Sequence, residues 1–323
     1  MTGDTERQPF VRRFRADAVL VLVAIVWGTD FVMVKNLLRA VPALPFLFWR
    51  FLLAALIAVL AVRPRRRTPG VWAVAFRLGL LAVLGMVLQI VGQTRTTASN
   101  ASFLTGLASV FTPVAAFLLT RRWPTLENGL GIALAGTGFV LMTFPAGGGP
   151  VNSGDMLIFA SAIVWAFYIV ELAERSPRHD PAWLSIIQIG LVALAAGAAA
   201  LAQGGAPALE AGIVPILARP DWIAQVVFLA TVGTAGTFLF QTWAQGQMSA
   251  THAAVIFTLE PVVTALTAAA FLGERLGSRG WAGGLLVLAG IVVSEMRFGR
   301  RSPQKFPLPP AGGSRPPKAD PRQ

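Results

Sequence analysis

Apolar residues run along this chain in long blocks separated by short polar breaks. Ten blocks stand out, at roughly 17 to 38, 44 to 62, 71 to 91, 98 to 120, 128 to 144, 153 to 173, 182 to 203, 222 to 245, 251 to 272 and 280 to 297. About 20 apolar residues in a helix span the hydrocarbon of a bilayer, and a helix satisfies each backbone N–H and C=O internally where no water can. The pattern predicts an all-α membrane protein with ten transmembrane helices. Arg12, Arg13 and Arg15 precede the first block as they would a signal peptide. The block is too long for one and lacks a small-residue cleavage site, so it reads as a retained helix.

Charge sharpens this picture. Only 13% of the 323 residues are charged, against about 25% in an ordinary soluble domain, so a soluble enzyme is not expected. The net charge of +12 would suit nucleic acid if the basic residues formed a stripe on one face. They lie instead in short runs between the apolar blocks, which points to the lipid bilayer as partner and not to nucleic acid. Arg7, Arg12, Arg13, Arg15, Arg63, Arg65, Arg66, Arg67, Arg121, Arg122, Arg175 and Arg178 fall on one side of a ten-helix chain. Arg39, Arg95, Arg219, Arg275 and Arg279 fall on the other. The positive-inside rule then puts both termini in the cytoplasm, with the protein in the inner (cytoplasmic) membrane. Residues 1–16 form a basic cytoplasmic tail, and the Pro-rich basic stretch 298–323 is expected to be disordered. The chain has no cysteine, two distant histidines (His179 and His252) and no Gly-Lys-Ser/Thr run. No metal site, cofactor, catalytic residue or ATP-hydrolysing loop is expected.

The chain also repeats itself. Asp17 and Ala24-Ile25-Val26-Trp27 recur as Asp155 and Ala162-Ile163-Val164-Trp165, at an offset of 138 (165 − 27). Gln93, Thr94 and Pro113 recur as Gln241, Thr242 and Pro261, at 148 (261 − 113). Gly131-x-x-Leu134-x-x-x-Gly138 recurs as Gly283-x-x-Leu286-x-x-x-Gly290, at 152 (290 − 138). This divides the chain into five-helix units at 17–146 and 153–297. Five is odd, so the second unit enters the membrane from the opposite side and the repeats are inverted. Such proteins place a binding site near the midplane between the halves and expose it to each side in turn. The expected function is a secondary transporter working by alternating access.

Four stretches carry a family resemblance: Thr96 to Leu104 (TTASNASFL) leading to Pro113, Leu259 to Leu276 (LEPVVTALTAAAFLGERL), Ile25 to Gly28 (IVWG) and Trp49 to Ala55 (WRFLLAA). Together they resemble the EamA-like transporters of the drug/metabolite transporter superfamily, over about residues 17 to 297. The resemblance implies ten helices in two inverted halves, cytoplasmic termini, and movement of small metabolites, often amino acids or their relatives and frequently outward. One departure stands out. Gly273-Glu274-Arg275 keeps the family's GER turn, whereas the first half has Thr120-Arg121-Arg122-Trp123.

An ionised side chain at the bilayer centre costs roughly 2.5–3.5 kcal/mol on insertion scales, so each one needs a reason. Glu260, near mid-depth and followed by Pro261, reads either as a carboxyl that carries protons or binds a substrate ammonium, or as a helix-packing group. Asp30 and Arg50 read as a helix-joining pair or as a site where Arg50 holds a substrate carboxylate. Lys35, about 140° around the helix from Asp30, is expected to reach for the headgroups. Asp17, Asp155, Glu171 and Arg77, at block ends, are expected to be solvated at the interface. Neutral candidates for the substrate pathway are Gln89, Gln93, Ser99, Asn100, Gln241 and Gln245. Trp27 and Trp165 join them as aromatic walls, while Trp243 reads as an interface anchor. The glycine rows of the fifth and tenth helices suit close packing, between the two halves or with a second subunit in a homodimer. A channel or a non-transporting scaffold is the alternative to a small-molecule transporter. An intramembrane enzyme is less favoured, because no catalytic motif occurs in the blocks.

Overall fold

The computed structural model describes residues 4–64, 68–121, 123–144, 151–248 and 250–295, all helical or in short connections. Arg65, Arg66, Arg67, Arg122 and the C-terminal stretch 298–323 lie outside the described residues. The helices are α1 (Asp4–Leu37), α2 (Ala43–Ala61), α3 (Val71–Arg95), α4 (Ala98–Thr120), α5 (Leu126–Thr143), α6 (Ser153–Arg175), α7 (Pro181–Leu217), α8 (Pro220–Ala230), α9 (Thr237–Gln245), α10 (Ala250–Phe257), α11 (Leu259–Leu272) and α12 (Ser278–Glu295). A π-helical segment, Thr231–Gly236, joins α8 to α9 into one span, Pro220–Gln245. Thr258, itself near-helical, joins α10 to α11 as another, His252–Leu272. Among the described residues nine helical stretches are long and apolar enough to cross a membrane, and Ser278–Val293 is a shorter tenth. Their outer surface carries what lipid requires, with Leu60, Leu194, Leu266 and Phe271 all more than 60% exposed.

Polar residues set the helix ends. Thr97 caps α4 by accepting from Asn100 N–H, Asn152 caps α6, and Asp180 caps α7. Two ends differ from the sequence pattern. First, α1 already begins at Asp4, so residues 4–16 are helical. Second, α7 runs past the expected end near 203, breaks at Gly204 and Gly205, and continues as a helical arm to Leu217. This arm sits where the repeat offset rises from 138 to 148, so it is an insertion unique to the second half. Trp49 Nε1 donates to the Leu209 carbonyl at 2.9 Å, and Gly212 lies against Pro45, which docks the arm on the start of α2.

The packing follows a two-fold pattern. Helix α2 packs on α7 and α5 on α12, each pairing a helix with its own repeat counterpart. Helix α3 packs on α6 as the α8–α9 span packs on α1, and α4 packs on α6 as α10–α11 packs on α1. The two halves are therefore inverted repeats wrapped around each other. By parity both termini lie at one face, called here the terminal face. The repeated glycines lie between the halves. A Cβ on Gly138 would stand 2.4 Å from the Gly283 carbonyl oxygen, and one on Gly290 would stand 2.6 Å from that of Gly131. Only glycine allows α5 and α12 so close.

Candidate functional site

The middle of the bundle holds a cavity of about 870 Å³ of empty space, its open mouth included. Both halves contribute to its wall through α1, α2, α3, α4, α6, α9, α10 and α11. The two tryptophans of the repeated Ala-Ile-Val-Trp run face each other's half across it. Trp27 Nε1 donates to Thr237 Oγ1 at 3.1 Å, and Trp165 Nε1 donates to Gln89 Oε1 at 2.8 Å. Trp165 is Trp27 shifted by 138 (165 − 27), and Thr237 is Gln89 shifted by 148 (237 − 89). The same bond thus occurs twice, once per half, which fixes the cavity on the axis relating the repeats.

Charge breaks this symmetry. Arg50 Nη2 and Nη1 reach Asp30 Oδ1 and Oδ2 at 2.7 and 3.0 Å, a two-pronged ion pair between α2 and α1. Arg50 Nε donates to Thr234 Oγ1 at 2.9 Å, and Nη2 also meets the Gly233 carbonyl at 3.3 Å. Both acceptors belong to the π-helical segment, whose wider turn frees main-chain carbonyls that an α-helix would use internally. Gly233 is required there, since a Cβ would stand 2.6 Å from Asp30 Oδ1. Asp30 and Arg50 shifted by 138 are Tyr168 and Gln188, which are neutral. Both are buried, and among the described residues Tyr168 Oη and Gln188 Oε1 have no hydrogen-bond partner. Glu260 lines the cavity at the start of α11 and is 8% exposed. Among the described residues its carboxylate has no hydrogen bond or ion pair. Its counterpart at offset 148 is Thr112, again neutral.

Of the eleven pathway residues expected from sequence, the structure brings eight together on the cavity wall: Trp27, Asp30, Arg50, Gln89, Gln93, Trp165, Gln241 and Glu260, while Ser99 binds Glu274 instead. Gln93 and Gln241, repeat counterparts of each other, both line it, and among the described residues their side-chain amides have no partner. Asn100 is elsewhere, in the first turn of α4, where its N–H meets the Thr97 cap. Gln245 is fully buried at the other end of the bundle, with neither amide atom bonded among the described residues. Trp243 is half-buried and outside the cavity lining. Sequence reasoning missed Tyr168, Phe257 and Ser109 on the wall. The chain's single tyrosine, at the repeat position of Asp30, carried a signal that the offset could have revealed.

Polar contacts tie the halves together at both ends of the cavity. At the face opposite the termini, Glu274 accepts from the N–H groups of Ala98 and Ser99 at 2.8 and 3.1 Å and from the Ser99 hydroxyl at 2.7 Å. A carboxylate is well placed at a helix N-terminus, where free N–H groups and the helix dipole favour an anion. The corresponding turn after α4 carries no acid in the first half, where Arg121 takes the left-handed conformation that Gly273 adopts in the second. Lys35 donates to the Gln93 carbonyl at 2.8 Å, so it joins α1 to α3 instead of reaching the headgroups. Asp155 is 1% exposed and bound by the Thr96 hydroxyl, and Glu171 is 7% exposed between Arg77 and Arg175. Neither is solvated as the sequence suggested: each sits at a helix–helix junction that shields it. At the terminal face Asp17, the repeat counterpart of Asp155, meets His252 Nε2 at 2.8 Å.

Comparison with known proteins agrees with this architecture. The chain is similar to an uncharacterised transporter of Archaeoglobus fulgidus, 28% identical over 89% of this chain and 88% of the relative. It is likewise similar to a probable amino-acid metabolite efflux pump of Salmonella typhimurium, 28% identical over 88% and 96%. A probable terminal-alkyne amino-acid exporter of Streptantibioticus cattleyicolor is 24% identical over 89% and 96%. A crystal structure of a protein 18% identical superposes with a TM-score of 0.56 over 87% of this chain and 96% of the other, which shows a shared fold. The model of the EamA-like transporter family matches twice, at residues 14–144 and 152–296. The chain belongs to the EamA-like transporter family and is a multi-pass membrane transporter.

Proposed function

We propose that this protein is a secondary transporter that carries small organic metabolites, amino acids or related compounds, out across the cytoplasmic membrane by alternating access. Its termini are cytoplasmic in this reading, as the distribution of arginines favours. The observation that carries the proposal is the central cavity on the repeat axis, walled by residues of both halves and bearing polar groups that have no partner among the described residues. A mostly apolar wall with a few converging polar side chains suits a small organic solute. Rocking the halves about the paired helices α2–α7 and α5–α12 would open it to one face and then the other. The contacts at Glu274, Thr96–Asp155 and Asp17–His252 would then make and break in alternation. Direction and substrate class are supported by the relatives named as efflux pumps and exporters. Glu260 is the group best placed to couple flux to protons; without such coupling the protein is a facilitator. The test is comparative profiling of metabolites inside and outside cells with and without the protein. Extracellular gain and intracellular loss of one class are expected, and unchanged profiles on both sides would contradict the proposal.

A further inference from the structure

The cavity's charge balance says more about its occupant than its size does. Arg50 is the one guanidinium on its wall among the described residues, and four of its five N–H directions are used by Asp30, Thr234 and the Gly233 carbonyl. A substrate carboxylate would have to displace Asp30 from a two-pronged buried pair. Lys35, the nearest other cation on α1, is held at the Gln93 carbonyl and is not part of the wall. With Asp30 and Arg50 cancelling, an ionised Glu260 is left as the uncompensated charge. The same wall carries Trp27 and Phe257, stacked with ring centroids 5.5 Å apart, and Trp165 against Tyr168 at 5.2 Å. A carboxylate among aromatic faces attracts an ammonium and repels an anion, because the ring faces are themselves electron-rich. The side-chain oxygens of Gln93 and Gln241 on the same wall can accept the remaining N–H groups of such a cation.

We propose that the cavity takes a cation: a protonated amine on an apolar or aromatic body, its ammonium held by Glu260 and its body lying between Trp27, Phe257 and Trp165. This rests on the transporter reading above and deepens it. The amine is the group recognised, and a neighbouring carboxylate adds nothing to affinity. A zwitterionic amino acid therefore binds through its amine, more weakly than the parent amine, with its carboxylate unpaired near Glu260.

Three probes of similar shape test this: phenethylamine, phenylalanine and 3-phenylpropanoate. Their binding to the purified full-length protein is measured by calorimetry in detergent, and their saturable flux is measured in proteoliposomes. The expected order of affinity is phenethylamine, then phenylalanine, with no binding of 3-phenylpropanoate. Glu260→Gln should weaken phenethylamine by roughly tenfold or more, as loss of a charged hydrogen bond does, and Glu260→Asp should restore part of it. The order among the three probes needs no variant, so it stands even if a substitution fails to fold. If 3-phenylpropanoate binds as well as phenethylamine, or none of the three binds, the inference is overturned. Saturable flux of 3-phenylpropanoate would in that case still leave a transporter. Binding of phenethylamine without flux would support the cation site and count against the transporter reading.

Discussion

The Asp30–Arg50 pair offers a test whose size follows from the geometry. Asp30→Asn removes one of two charges held at 2.7 and 3.0 Å and leaves Arg50, 5% exposed, facing only Thr234 and the Gly233 carbonyl. Two charges with centres about 4 Å apart at an effective dielectric of about 20 attract by about 4 kcal/mol. Removing one member of a buried pair is known to cost about 3–5 kcal/mol. We therefore expect each of Asp30→Asn and Arg50→Gln to destabilise by about 3 kcal/mol. The double variant should cost far less than the two together, because it makes the first half resemble the neutral Tyr168 and Gln188 at the same positions of the second. The coupling energy should reach at least about 2 kcal/mol, within the range for residues in one network. Equilibrium unfolding in mixed micelles, as denaturing detergent is titrated, measures all four proteins on one scale. Additive costs, equal to within about 0.5 kcal/mol, would refute the claim that Arg50 is committed to Asp30, and would return Arg50 to the pool of substrate ligands.

Other expectations are simpler to check. Glu260→Gln should leave the protein folded, by size-exclusion profile, and remove the pH dependence of flux in proteoliposomes; an unchanged pH dependence would rule out Glu260 as the proton-coupling group. Gly138→Leu should separate α5 from α12 and sharply lower the yield of folded protein, since even a Cβ would stand 2.4 Å from the Gly283 carbonyl oxygen. Wild-type yield and stability would refute the close approach. The chain has no cysteine, so single replacements report sidedness cleanly. In intact cells Glu210→Cys should react with an impermeant thiol reagent and Arg63→Cys should not, and the reverse pattern would invert the proposed topology.

Much of this architecture was legible because lipid imposes a strong rule. Each membrane crossing must be a long apolar helix, and repeats in such a chain stay in register where loops do not intervene. That rule placed the helices, and the repeated Trp27 and Trp165 placed the axis. The unread parts are those where hydropathy stays constant while the backbone changes. Thr231–Gly236 is as apolar and small as an α-helical stretch, so nothing in its pattern announces the π-turns that hold Arg50. Gly204-Gly205 with Pro207 and Pro215 reads as a loop, yet the arm folds as a helix because Leu209, Gly212 and Ile216 find a surface on α2. Asn100 and Gln245 had the right chemistry at the wrong depth, since a few residues along a helix decide whether a side chain reaches the cavity or an end. The burial of Asp155 and Glu171 was hidden for a different reason: partners such as Thr96 and Arg77 come from other helices, and sequence spacing does not report them.

The central claim is that one midplane cavity faces each side of the membrane in turn. Ser109 lines that cavity, is 2% exposed and comes from the middle of α4. A Ser109→Cys protein, reconstituted in one orientation, can be challenged with an impermeant thiol reagent from either side. The account predicts labelling from both faces, slowed by a bound amine, while the membrane stays tight to the reagent. Labelling from one face only, or free passage of the reagent through the protein, would contradict it.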